Sequence, residues 1–324
     1  MLEYDIIIIG GGAAGMTAAI KAKEEGINNI LIIEREDQLG GILNQCINLG
    51  FGIDSSIKTL TGPEYVQELI NKLSEFNISY ILNSLVIEIS EDKKIIVVNE
   101  NGIIEYKAKA IILAMGSREK PRGVINIANN RCAGIFTIGT AQRFINIEGY
   151  MPGKEVVIVG AGDNSLLMAK SLLLEGANVK AIIEPMPYAG GTNENIVESA
   201  EDFNIPLQLS CTVVDIKGKD RVEGVVICRL DDNNVPINGT EEFISCDTLL
   251  LSSRVLPESE FLRKAEIQVG SNTRGVVVDK DQQTSLEGIF ACGDIVYVHN
   301  LEEDITIESN ISGRNAANYV SAKH

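Results

Sequence analysis

The fold of this chain is decided by the stretch Tyr4-Asp5-Ile6-Ile7-Ile8-Ile9-Gly10-Gly11-Gly12-Ala13-Ala14-Gly15. A continuous β-branched run that ends in glycine is typical of a strand buried on both faces of a parallel sheet. Helix-forming residues follow from Ala13 to Glu25, and a second short apolar run, Ile30–Ile33, ends at Glu34. The glycines therefore lie between a predicted strand and a predicted helix, where the pattern G-x-G-x-x-G indicates a dinucleotide site.

Each landmark of this stretch has a separate physical role. Gly10 permits the tight turn, Gly12 lets a pyrophosphate approach the backbone, and Gly15 allows the helix to pack closely on the strand. The helix N-terminus attracts the phosphates, and Glu34 can bind a ribose hydroxyl. A glycine-rich turn without a ligand is the alternative, and it is disfavoured because strand, helix and acid occur in the expected order.

The same pattern returns downstream. The apolar run Glu155–Val159 leads into Gly160-Ala161-Gly162-Asp163-Asn164-Ser165, and Glu184 follows Gly160 at the spacing that separates Glu34 from Gly10. An acidic residue and then a Gly-Gly pair follow each turn, so the landmarks recur with one constant offset. We therefore predict an internal duplication and a second dinucleotide site, in which Ser165 replaces the third glycine. Its candidate residues are Gly160, Gly162, Asp163, Asn164, Ser165 and Glu184.

Each predicted unit also contains a β-meander. The first includes Ile95–Ile104 with a two-residue turn at Asn101-Gly102, and the second includes Val213–Ile227. Each meander returns through a buried strand, Ala110–Ala114 in the first unit and Thr248–Leu251 in the second. We expect an α/β fold with two Rossmann-like, three-layer (ββα) dinucleotide-binding domains.

Composition excludes several classes of function. The 324 residues include 28 Lys and Arg against 45 Asp and Glu, a net charge of −17. Nucleic acids and anionic membranes would be repelled by this charge, so we expect neither as a partner. No apolar run approaches the roughly 18–20 residues of a membrane-spanning helix, and no basic segment precedes the first apolar run. We expect a cytoplasmic protein without membrane insertion.

The six cysteines are scattered and form no Cys-x-x-Cys pair, which indicates reduced thiols rather than a disulfide framework. The sequence has no His and Cys spacing typical of a metal site, no Ser-His-Asp order and no Walker loop. We therefore expect no metal, and hydride or electron transfer is the chemistry that stays open.

Two further motifs, together with both glycine turns, carry a resemblance over nearly the whole chain. Ala114-Met115-Gly116 follows a predicted buried strand, and Thr284–Asp294 ends in Gly293-Asp294. The four elements resemble the two-dinucleotide-binding-domain flavoproteins, the pyridine nucleotide-disulfide oxidoreductase superfamily, at the size of thioredoxin reductases. The resemblance implies FAD in a discontinuous domain, residues 1–121 and 252–324, and NADH or NADPH in an inserted domain, residues 122–251.

The resemblance also implies which residues hold FAD. The Asp294 carboxylate would hold the ribityl chain, and a terminal helix that starts near Asp304 would point its N-terminus at the flavin pyrimidine. Thr306, Ile307 and Glu308 would lie at the flavin edge. The FAD-binding residues implied in this way are Gly10, Gly12, Ala13, Ala14, Gly15, Glu34, Arg35, Gly41, Ile42, Cys46, Val86, Ala114, Met115, Gly116, Gly293, Asp294, Thr306 and Ile307.

The sequence also departs from this family. Thioredoxin reductases of this size carry Cys-x-x-Cys where this chain has Gly139-Thr140-Ala141-Gln142. Lipoamide-dehydrogenase-like enzymes have two cysteines after the position of Gly40-Gly41, where this chain has Cys46 alone. We therefore expect no active-site dithiol and no reduction of thioredoxin by the dithiol route.

Two residues are candidates for a direct role in catalysis. Cys46 would lie close to the flavin if its loop follows the family, although a small buried filler is the favoured interpretation. His299 follows the Gly-Asp motif closely enough to reach the flavin or an acceptor, and a surface or structural histidine is the favoured interpretation there.

A narrower resemblance concerns the electron partner. Gly41–Ile47, Leu60–Tyr65, Gly139–Arg143 and Ile147–Tyr150 are similar to the small flavoprotein subunits of glycerol-3-phosphate, proline, opine and cyanide-forming amino-acid dehydrogenase complexes. A separate subunit oxidises the substrate in such complexes. For this chain the resemblance implies an electron acceptor, or a dehydrogenase or iron–sulfur partner subunit, and a homodimer is left open.

These observations together predict an FAD-dependent NAD(P)H oxidoreductase. We expect a preference for NADH, because Glu184 can bind a ribose 2′-hydroxyl but would repel a 2′-phosphate, and Pro185–Tyr188 offers no Arg to receive one. Arg254 stands where relatives commonly have glycine, and it could obstruct the nicotinamide or contact phosphates. The alternative function is an FAD-binding electron-transfer or assembly subunit without substrate turnover of its own.

Overall fold

The computed structural model of the chain divides into two compact units, of which the second is inserted into the first. Unit 1 is Met1–Arg118 with Val255–His324, and unit 2 is Glu119–Arg254. The first expected domain boundary, between residues 121 and 122, lies outside the described residues. The residues that the structure describes are 2–52, 60–120, 132–196, 200, 202–252, 255–299 and 302–323.

Both units contain strands and helices, and each also has a run of consecutive strands. Before the insertion they are β1 (Leu2–Ile9), α1 (Ala13–Glu24), β2 (Ile30–Ile33), β3 (Leu49–Phe51), β4 (Leu60–Thr61), α2 (Gly62–Glu75), β5 (Ser79–Ile81), β6 (Leu85–Ile89), β7 (Lys94–Asn99), β8 (Gly102–Leu113) and β9 (Ser117–Glu119). In unit 2 they continue as β10 (Ile135–Thr137), α3 (Ile138–Asn146), β11 (Glu155–Val159), α4 (Asp163–Leu174), β12 (Asn178–Glu184), α5 (Asn193–Ile196), β13 (Leu207–Leu209), β14 (Cys211–Lys217), β15 (Gly224–Arg229), β16 (Glu242–Ser245) and β17 (Thr248–Leu251). After the insertion come β18 (Val255–Pro257), β19 (Ile289–Ala291) and α6 (Glu302–Ala322).

Unit 1 is built on a seven-stranded sheet in the order β5-β2-β1-β8-β7-β6, with β19 also paired to β8. Strand β1 runs parallel to both neighbours, so that Ile6 lies opposite Ile30 on β2 and Ala110 on β8. Consecutive parallel strands require a crossover, which α1 provides between β1 and β2. The carboxyl ends of β1, β2, β8 and β19 therefore meet at one edge of the sheet.

The apolar run of β1 is buried on both faces, as its sequence predicts. Ile6 and Ile8 pack in the core that contains α1, α2 and α6. Ile7 and Ile9 pack on the opposite face, against the β6–β7–β8 meander. Each of the four is at most 4% exposed, and burying a side chain of this size stabilises a fold by about 1.5–3 kcal/mol. Sheet, helices and meander thus form the predicted three layers.

Unit 2 repeats this arrangement. Its five-stranded parallel sheet has the order β10-β17-β11-β12-β13. Val156 and Ile158 of β11 face the core that contains α4, whereas Val157 faces the antiparallel sheet β14-β15-β16. The predicted α/β fold with two dinucleotide-binding domains is confirmed.

The sequence misplaced one turn. The loop between β7 and β8 consists of Glu100 and Asn101, because Asn99 already pairs with Gly102, and the expected turn at Asn101-Gly102 is wrong by one residue. The Asn99 side chain accepts a 2.9 Å hydrogen bond from the Asn101 backbone N–H, and Gly102 has φ +101° as the first residue of β8. Strand β8 is continuous, so the return strand expected at Ala110–Ala114 is its second half, which ends at Leu113.

Candidate functional site

The first glycine turn is shaped by two close backbone approaches. Gly10 has φ +105°, and a Cβ there would lie 2.3 Å from the Ala114 carbonyl oxygen. A Cβ on Gly15 would lie 1.9 Å from the carbonyl oxygen of Gly10. Gly12, which caps α1, has no heavy atom within 4 Å of its Cβ position. The turn therefore has no room for a side chain at Gly10 or Gly15, whereas the space beside Gly12 is open.

This open side of the turn fits an anionic ligand. Helix α1 has no side-chain cap and no acidic residue in its first turn, which starts with Ala13 and Ala14, so its N–H groups and partial positive charge are available to a phosphate. Gly40 donates its N–H to the carbonyl oxygen of Gly11 over 2.9 Å, and a Cβ on Gly41 would approach Gly12 to 3.4 Å. The backbone thus borders the open space on a second side.

Glu34 is held in place by the backbone at the end of β2. Its Oε2 accepts a 2.6 Å hydrogen bond from the Gly11 N–H, and its Oε1 accepts a 2.8 Å bond from the Glu36 N–H. The hydrogen bond from the second residue of the glycine turn, here Gly11, to the acid that ends the next strand, here Glu34, is called the turn–carboxylate contact below. Glu34 is only 6% exposed, and each oxygen keeps a lone pair for a ribose hydroxyl. Arg35 points outward, with Nε 3.6 Å from Glu36.

Of two other implied residues, Val86 is buried near the same end of the sheet and Ile42 faces solvent. Ser84, just before β6, donates its N–H to the Glu34 carbonyl oxygen over 2.9 Å. Val86 follows two residues later and is buried opposite Val97. Ile42, in a short 3₁₀ helix after Gly41, is 60% exposed. Ile42 is therefore available for contact with a ligand or a partner.

The Ala114-Met115-Gly116 motif directly follows β8. Ala114 donates its N–H to the Ile9 carbonyl oxygen over 2.8 Å, which continues the pairing of β8 with β1. Met115 packs in the core beneath the meander. Gly116 has φ +69°, and its carbonyl oxygen accepts the Glu258 N–H. The motif thus lies beside the first glycine turn, where the Ala114 carbonyl oxygen approaches Gly10.

Asp294 lies at the same edge, because β19 pairs with the end of β8. The Cys292 N–H donates to the carbonyl oxygen of Leu113, and a Cβ on Gly293 would lie 2.8 Å from the Cβ of Ala14. The Ser117 hydroxyl donates a 2.9 Å hydrogen bond to Asp294 Oδ2. About a quarter of the Asp294 side chain is exposed, so its carboxylate can still receive a ligand hydroxyl.

His299 is buried between two carboxylates. Its backbone N–H donates to Asp294 Oδ1 over 3.1 Å, its Nδ1 lies 3.3 Å from the same oxygen, and its Nε2 lies 3.1 Å from Glu308 Oε1. The imidazole is 0% exposed, and its ring packs on Tyr297 with centroids 3.9 Å apart. Burial alone would lower the pKa of His299, but the two carboxylates outweigh burial and raise the pKa to about 9.

Helix α6 begins at Glu302, two residues before the start that the sequence predicted. Glu308 Oε2 accepts the Gly293 N–H over 3.3 Å, so this side chain connects α6 to the Gly-Asp motif. Thr306 is half-buried, and Ile307 is 58% exposed. Thr306, Ile307 and Glu308 stay predictions as flavin-edge residues.

The cysteines of unit 1 are protonated thiols at neutral pH. Burial raises the pKa of the Cys46 thiol to about 11, and Sγ donates to the Ile42 carbonyl oxygen over 3.5 Å. Burial raises the pKa of the Cys292 thiol to about 12. Since the thiolate is the reactive form, these environments favour the filler interpretation of Cys46. The described residues contain no group of three or more His, Cys, Asp or Glu placed to hold a metal ion.

Unit 2 repeats the turn–carboxylate contact. Ala161 donates its N–H to Glu184 Oε2 over 2.7 Å, and Met186 donates to Oε1 over 2.9 Å. Gly160 has φ +95°, and Gly162 caps α4 with no heavy atom within 4 Å of its Cβ position. The second turn is therefore open in the same place as the first.

The start of α4 differs from that of α1. Asp163 occupies its first turn, and its Oδ1 accepts the Thr192 N–H over 2.8 Å and the Asn195 side-chain amide over 2.6 Å. The carboxylate is thus occupied by Thr192, just before α5, and by Asn195 within α5. Ser165 is fully buried, and its Oγ has no hydrogen-bond partner among the described residues. Asn164, next to it in the chain, is exposed. Arg254 lies outside the part of the chain that the structure describes.

An acidic residue borders Gly139-Thr140-Ala141-Gln142, the segment at which the sequence resemblance implies the missing dithiol. Thr137 caps α3, and the Gly139 N–H donates to Glu119 Oε1 over 2.9 Å. A Cβ on Gly139 would lie 2.8 Å from Glu119 Oε2. A carboxylate beside this helix N-terminus would disfavour a thiolate there.

Sequence reasoning missed three partners of these residues. Ser117 bonds Asp294, Glu119 bonds Gly139, and Asn195 bonds Asp163. Only Ser117 carried a usable signal, because it directly follows the Ala114–Gly116 motif. The other two contacts depend on which segments pack beside a helix start. Among the described residues, no helix has the length and apolar character needed to cross a membrane.

Comparison with known proteins places these features in a family. Residues 4–316 match the model of the pyridine nucleotide-disulphide oxidoreductases. The chain is 25% identical over 321 residues to one component of the alkyl hydroperoxide reductase of Staphylococcus aureus strain NCTC 8325, covering 97% of this chain and 58% of that protein. It is 24% identical to the ferredoxin–NADP reductase of Picrophilus torridus, covering 92% of this chain and 87% of that protein.

The fold comparison agrees with the family match. The thioredoxin reductase of T. acidophilum superposes with a TM-score of 0.77 at 24% identity, covering 100% of this chain and 99% of that one. The chain spans about 58% of the length of the alkyl hydroperoxide reductase relatives, so it matches part of those proteins only. The chain belongs to the pyridine nucleotide-disulphide oxidoreductase family, whose members are oxidoreductases that use FAD and NAD(P)H.

Proposed function

We propose that this chain passes electrons from NADH, in preference to NADPH, through FAD to an acceptor or a partner subunit, without an active-site dithiol. The family supplies the coarser part of this statement, an FAD and NAD(P)H oxidoreductase. The preference for NADH, the lack of a dithiol and the partner are our own inferences.

The observation that carries the proposal is the repeated turn–carboxylate contact. Glu34 and Glu184 are each oriented by two backbone N–H groups, at 2.6 and 2.8 Å in unit 1 and at 2.7 and 2.9 Å in unit 2. Each carboxylate is therefore preorganised beside an open glycine turn before a ligand arrives, and preorganised acceptors lose little entropy on binding. Two such sites in one chain suit two adenine dinucleotides.

In unit 1 the residues fit FAD. Gly12 and the start of α1 would receive the pyrophosphate, Glu34 the adenosine ribose, and Asp294 the ribityl hydroxyls. When bound, FAD supplies hydride and electron transfer, and the protein contributes binding, orientation and electrostatics. No side chain is required to act as nucleophile.

In unit 2 the charge of Glu184 supports the preference for NADH. A carboxylate accepts hydrogen bonds from ribose hydroxyls, whereas the dianionic 2′-phosphate of NADPH would be repelled by it. The segment after Glu184 contains no Arg or Lys until well past Gly191, so the sequence offers no cation there to compensate.

The state of the thiols supports a flavin that acts without a dithiol. Gly139-Thr140-Ala141-Gln142 contains no sulfur, and Glu119 lies against Gly139. The Cys46 thiol, with its pKa raised to about 11, is about four pH units from the thiolate that disulfide exchange requires at pH 7.

A second candidate function is an electron-transfer or assembly subunit of a larger complex. It is favoured by three apolar side chains exposed in one short segment, Ile42 at 60%, Ile47 at 52% and Leu49 at 66%. Exposed apolar side chains that lie together are typical of contact surfaces. The same segment carries the narrower resemblance to dehydrogenase-complex subunits.

One set of experiments tests the proposal. The purified protein is reconstituted with FAD and mixed anaerobically with NADH or NADPH, and flavin absorbance is followed by stopped flow. We expect faster bleaching with NADH, turnover of dyes or quinones, and none of thioredoxin. Failure to take up FAD would contradict the cofactor assignment. A dehydrogenase or iron–sulfur protein that co-purifies stoichiometrically from the native host would favour the second candidate function.

A further inference from the structure

We propose that His299 is a positioning residue which, as a positively charged imidazolium, holds the Asp294 and Glu308 carboxylates together, so that FAD affinity depends on the protonation of a side chain that need not touch FAD. The inference rests on the proposed function, because it takes Asp294 as the FAD ribityl ligand. It goes beyond that function by assigning a role to a histidine between the two acids.

The geometry carries the argument. His299 reaches Asp294 Oδ1 through Nδ1 at 3.3 Å and through its backbone N–H at 3.1 Å, while Nε2 lies 3.1 Å from Glu308 Oε1. The imidazole is fully buried, and each of its nitrogens lies within 3.3 Å of a carboxylate oxygen. A neutral imidazole carries one N–H only, so one nitrogen would then present a lone pair to a carboxylate.

The two acids belong to different elements, so the imidazolium joins separate parts of unit 1. Asp294 follows β19, whereas Glu308 lies in α6 and also accepts the Gly293 N–H. With His299 and Ser117 on opposite oxygens, the Asp294 carboxylate is fixed in orientation. Loss of the charge would leave two partly buried carboxylates repelling each other.

The groups that face His299 are few. Asp294 and Glu308 lie at its nitrogens, and Tyr297 packs on its ring. Burial, and then the charges of Glu308 and Asp304, raise the pKa of Tyr297, so this ring is neutral at physiological pH. Among the described residues no Lys or Arg is paired with Asp294 or Glu308, which makes His299 their cationic partner.

The sign of the pH dependence follows from these contacts. Two carboxylates stabilise the charged imidazole, and the pKa of His299 stands at about 9. The contacts are complete below that pH and are lost as pH rises through it. We therefore expect the Kd for FAD to be constant between pH 6.5 and 8 and to rise above pH 9, by at most about tenfold per pH unit.

The first test measures FAD affinity by flavin fluorescence between pH 6.5 and 10 in the full chain and in two variants. His299→Gln keeps one N–H donor without the charge. We expect its Kd to be roughly tenfold higher at pH 7 and to lack the rise above pH 9 that the wild type shows. Lys323→Gln, a matched loss of one positive charge beyond the exposed end of α6 and about 22 Å along the helix from Glu308, should behave as the wild type.

A second measurement reads the protonation directly and does not depend on the folding of a variant. The chain has two histidines, so ring-labelled histidine gives two NMR titrations. We expect one of them near pH 9, and in Glu308→Gln we expect it at least one pH unit lower, because one of the two carboxylates is gone.

The outcomes separate this inference from the proposed function. A preparation that binds no FAD at any pH overturns the cofactor assignment and the inference with it. Normal FAD binding whose alkaline rise persists unchanged in His299→Gln overturns the inference alone, since the rise then belongs to the flavin. Two histidines that both titrate below pH 7 in the wild type likewise overturn it.

Discussion

The backbone N–H of Ala161 lies 2.7 Å from Oε2 of Glu184. This contact reproduces, 150 residues along the chain, the 2.6 Å contact between Gly11 and Oε2 of Glu34. The second carboxylate oxygen also has the same partner in both units, the N–H two residues further on, at Glu36 and Met186. Two copies of one nucleotide-binding turn are thus preserved down to the hydrogen bonds that orient the acid.

Glu184 should determine which pyridine nucleotide is used. Glu184→Gln keeps an acceptor for the Ala161 N–H but loses the charge, so it should bind the 2′-phosphate of NADPH better and the ribose hydroxyls of NADH less well. A hydrogen bond to a charged group contributes about 1.5–3 kcal/mol. We expect the ratio of kcat/KM for NADH over NADPH to fall by at least roughly tenfold.

The matched control is Glu175→Gln, an exposed glutamate at the other end of α4, about 18 Å along the helix. Its ratio should equal that of the wild type. A wild-type ratio that already favours NADPH, or a Glu184→Gln ratio that does not move, would contradict the role of Glu184.

Substitutions at Gly12 and Gly15 should have different effects, the first on FAD binding and the second on stability. A Cβ on Gly12 meets no atom within 4 Å, whereas a Cβ on Gly15 meets the Gly10 carbonyl oxygen at 1.9 Å. We expect Gly12→Ala to keep the thermal unfolding midpoint of the FAD-free protein and to weaken FAD binding at least roughly tenfold, since the new methyl occupies the pyrophosphate space. Gly15→Ala should lower the midpoint, because overpacking costs about 1–3 kcal/mol.

Thermal unfolding and FAD titration of both variants measure these effects. A Gly12→Ala protein that binds FAD as tightly as the wild type would show that the pyrophosphate lies elsewhere. The opposite assignment, with Gly12→Ala unfolded and Gly15→Ala stable, would contradict the packing of the turn.

The Cys46 thiol should react slowly with alkylating reagents. Its pKa is raised to about 11 by burial, against about 8.5 for an unperturbed cysteine. At pH 8 we expect alkylation by iodoacetamide, followed by mass spectrometry, to be roughly a hundredfold slower than for a cysteine peptide. The rate should rise about tenfold per pH unit up to pH 10. A rate that is already maximal at pH 8 would indicate an activated thiol and return Cys46 to the catalytic candidates.

His299 should make the FAD-free protein less stable in alkali. Because the folded-state pKa of about 9 lies above the ordinary value of 6.5, the contribution of His299 is complete below pH 6.5 and is lost as pH rises through 9. Removing one partner of a buried ion pair costs roughly 3 kcal/mol. We expect His299→Gln to lower the free energy of unfolding by about that amount at pH 7, and by much less at pH 10. An equal loss at both pH values would mean that the histidine only fills space.

The sequence was a good guide wherever a short stretch determines the geometry. Gly10 and Gly15 cannot carry a side chain without a backbone clash. Glu34 follows them after one helix and one strand. The geometry of all three residues is therefore set by neighbouring sequence and could be predicted from it. The turn before β8 was missed by one residue because the Asn99 side chain, rather than the Asn-Gly pair, sets the register.

Longer-range partners could not be predicted in this way. Ser117 and Asp294 are 177 residues apart and meet because β19 pairs with β8. Glu308 reaches His299 because of the rotation of α6, which its weakly amphipathic sequence does not define. Which side chain contacts a helix start, as Glu119 of β9 contacts the start of α3, also depends on tertiary packing.

We propose that FAD works here without a dithiol and takes its electrons from NADH. An anaerobic titration of the FAD-loaded protein checks both points, because a disulfide beside the flavin would accept two further electrons. We expect the flavin absorbance to be fully bleached by about one equivalent of NADH per FAD. A requirement for about two equivalents, with thiols appearing in step, would contradict the claim.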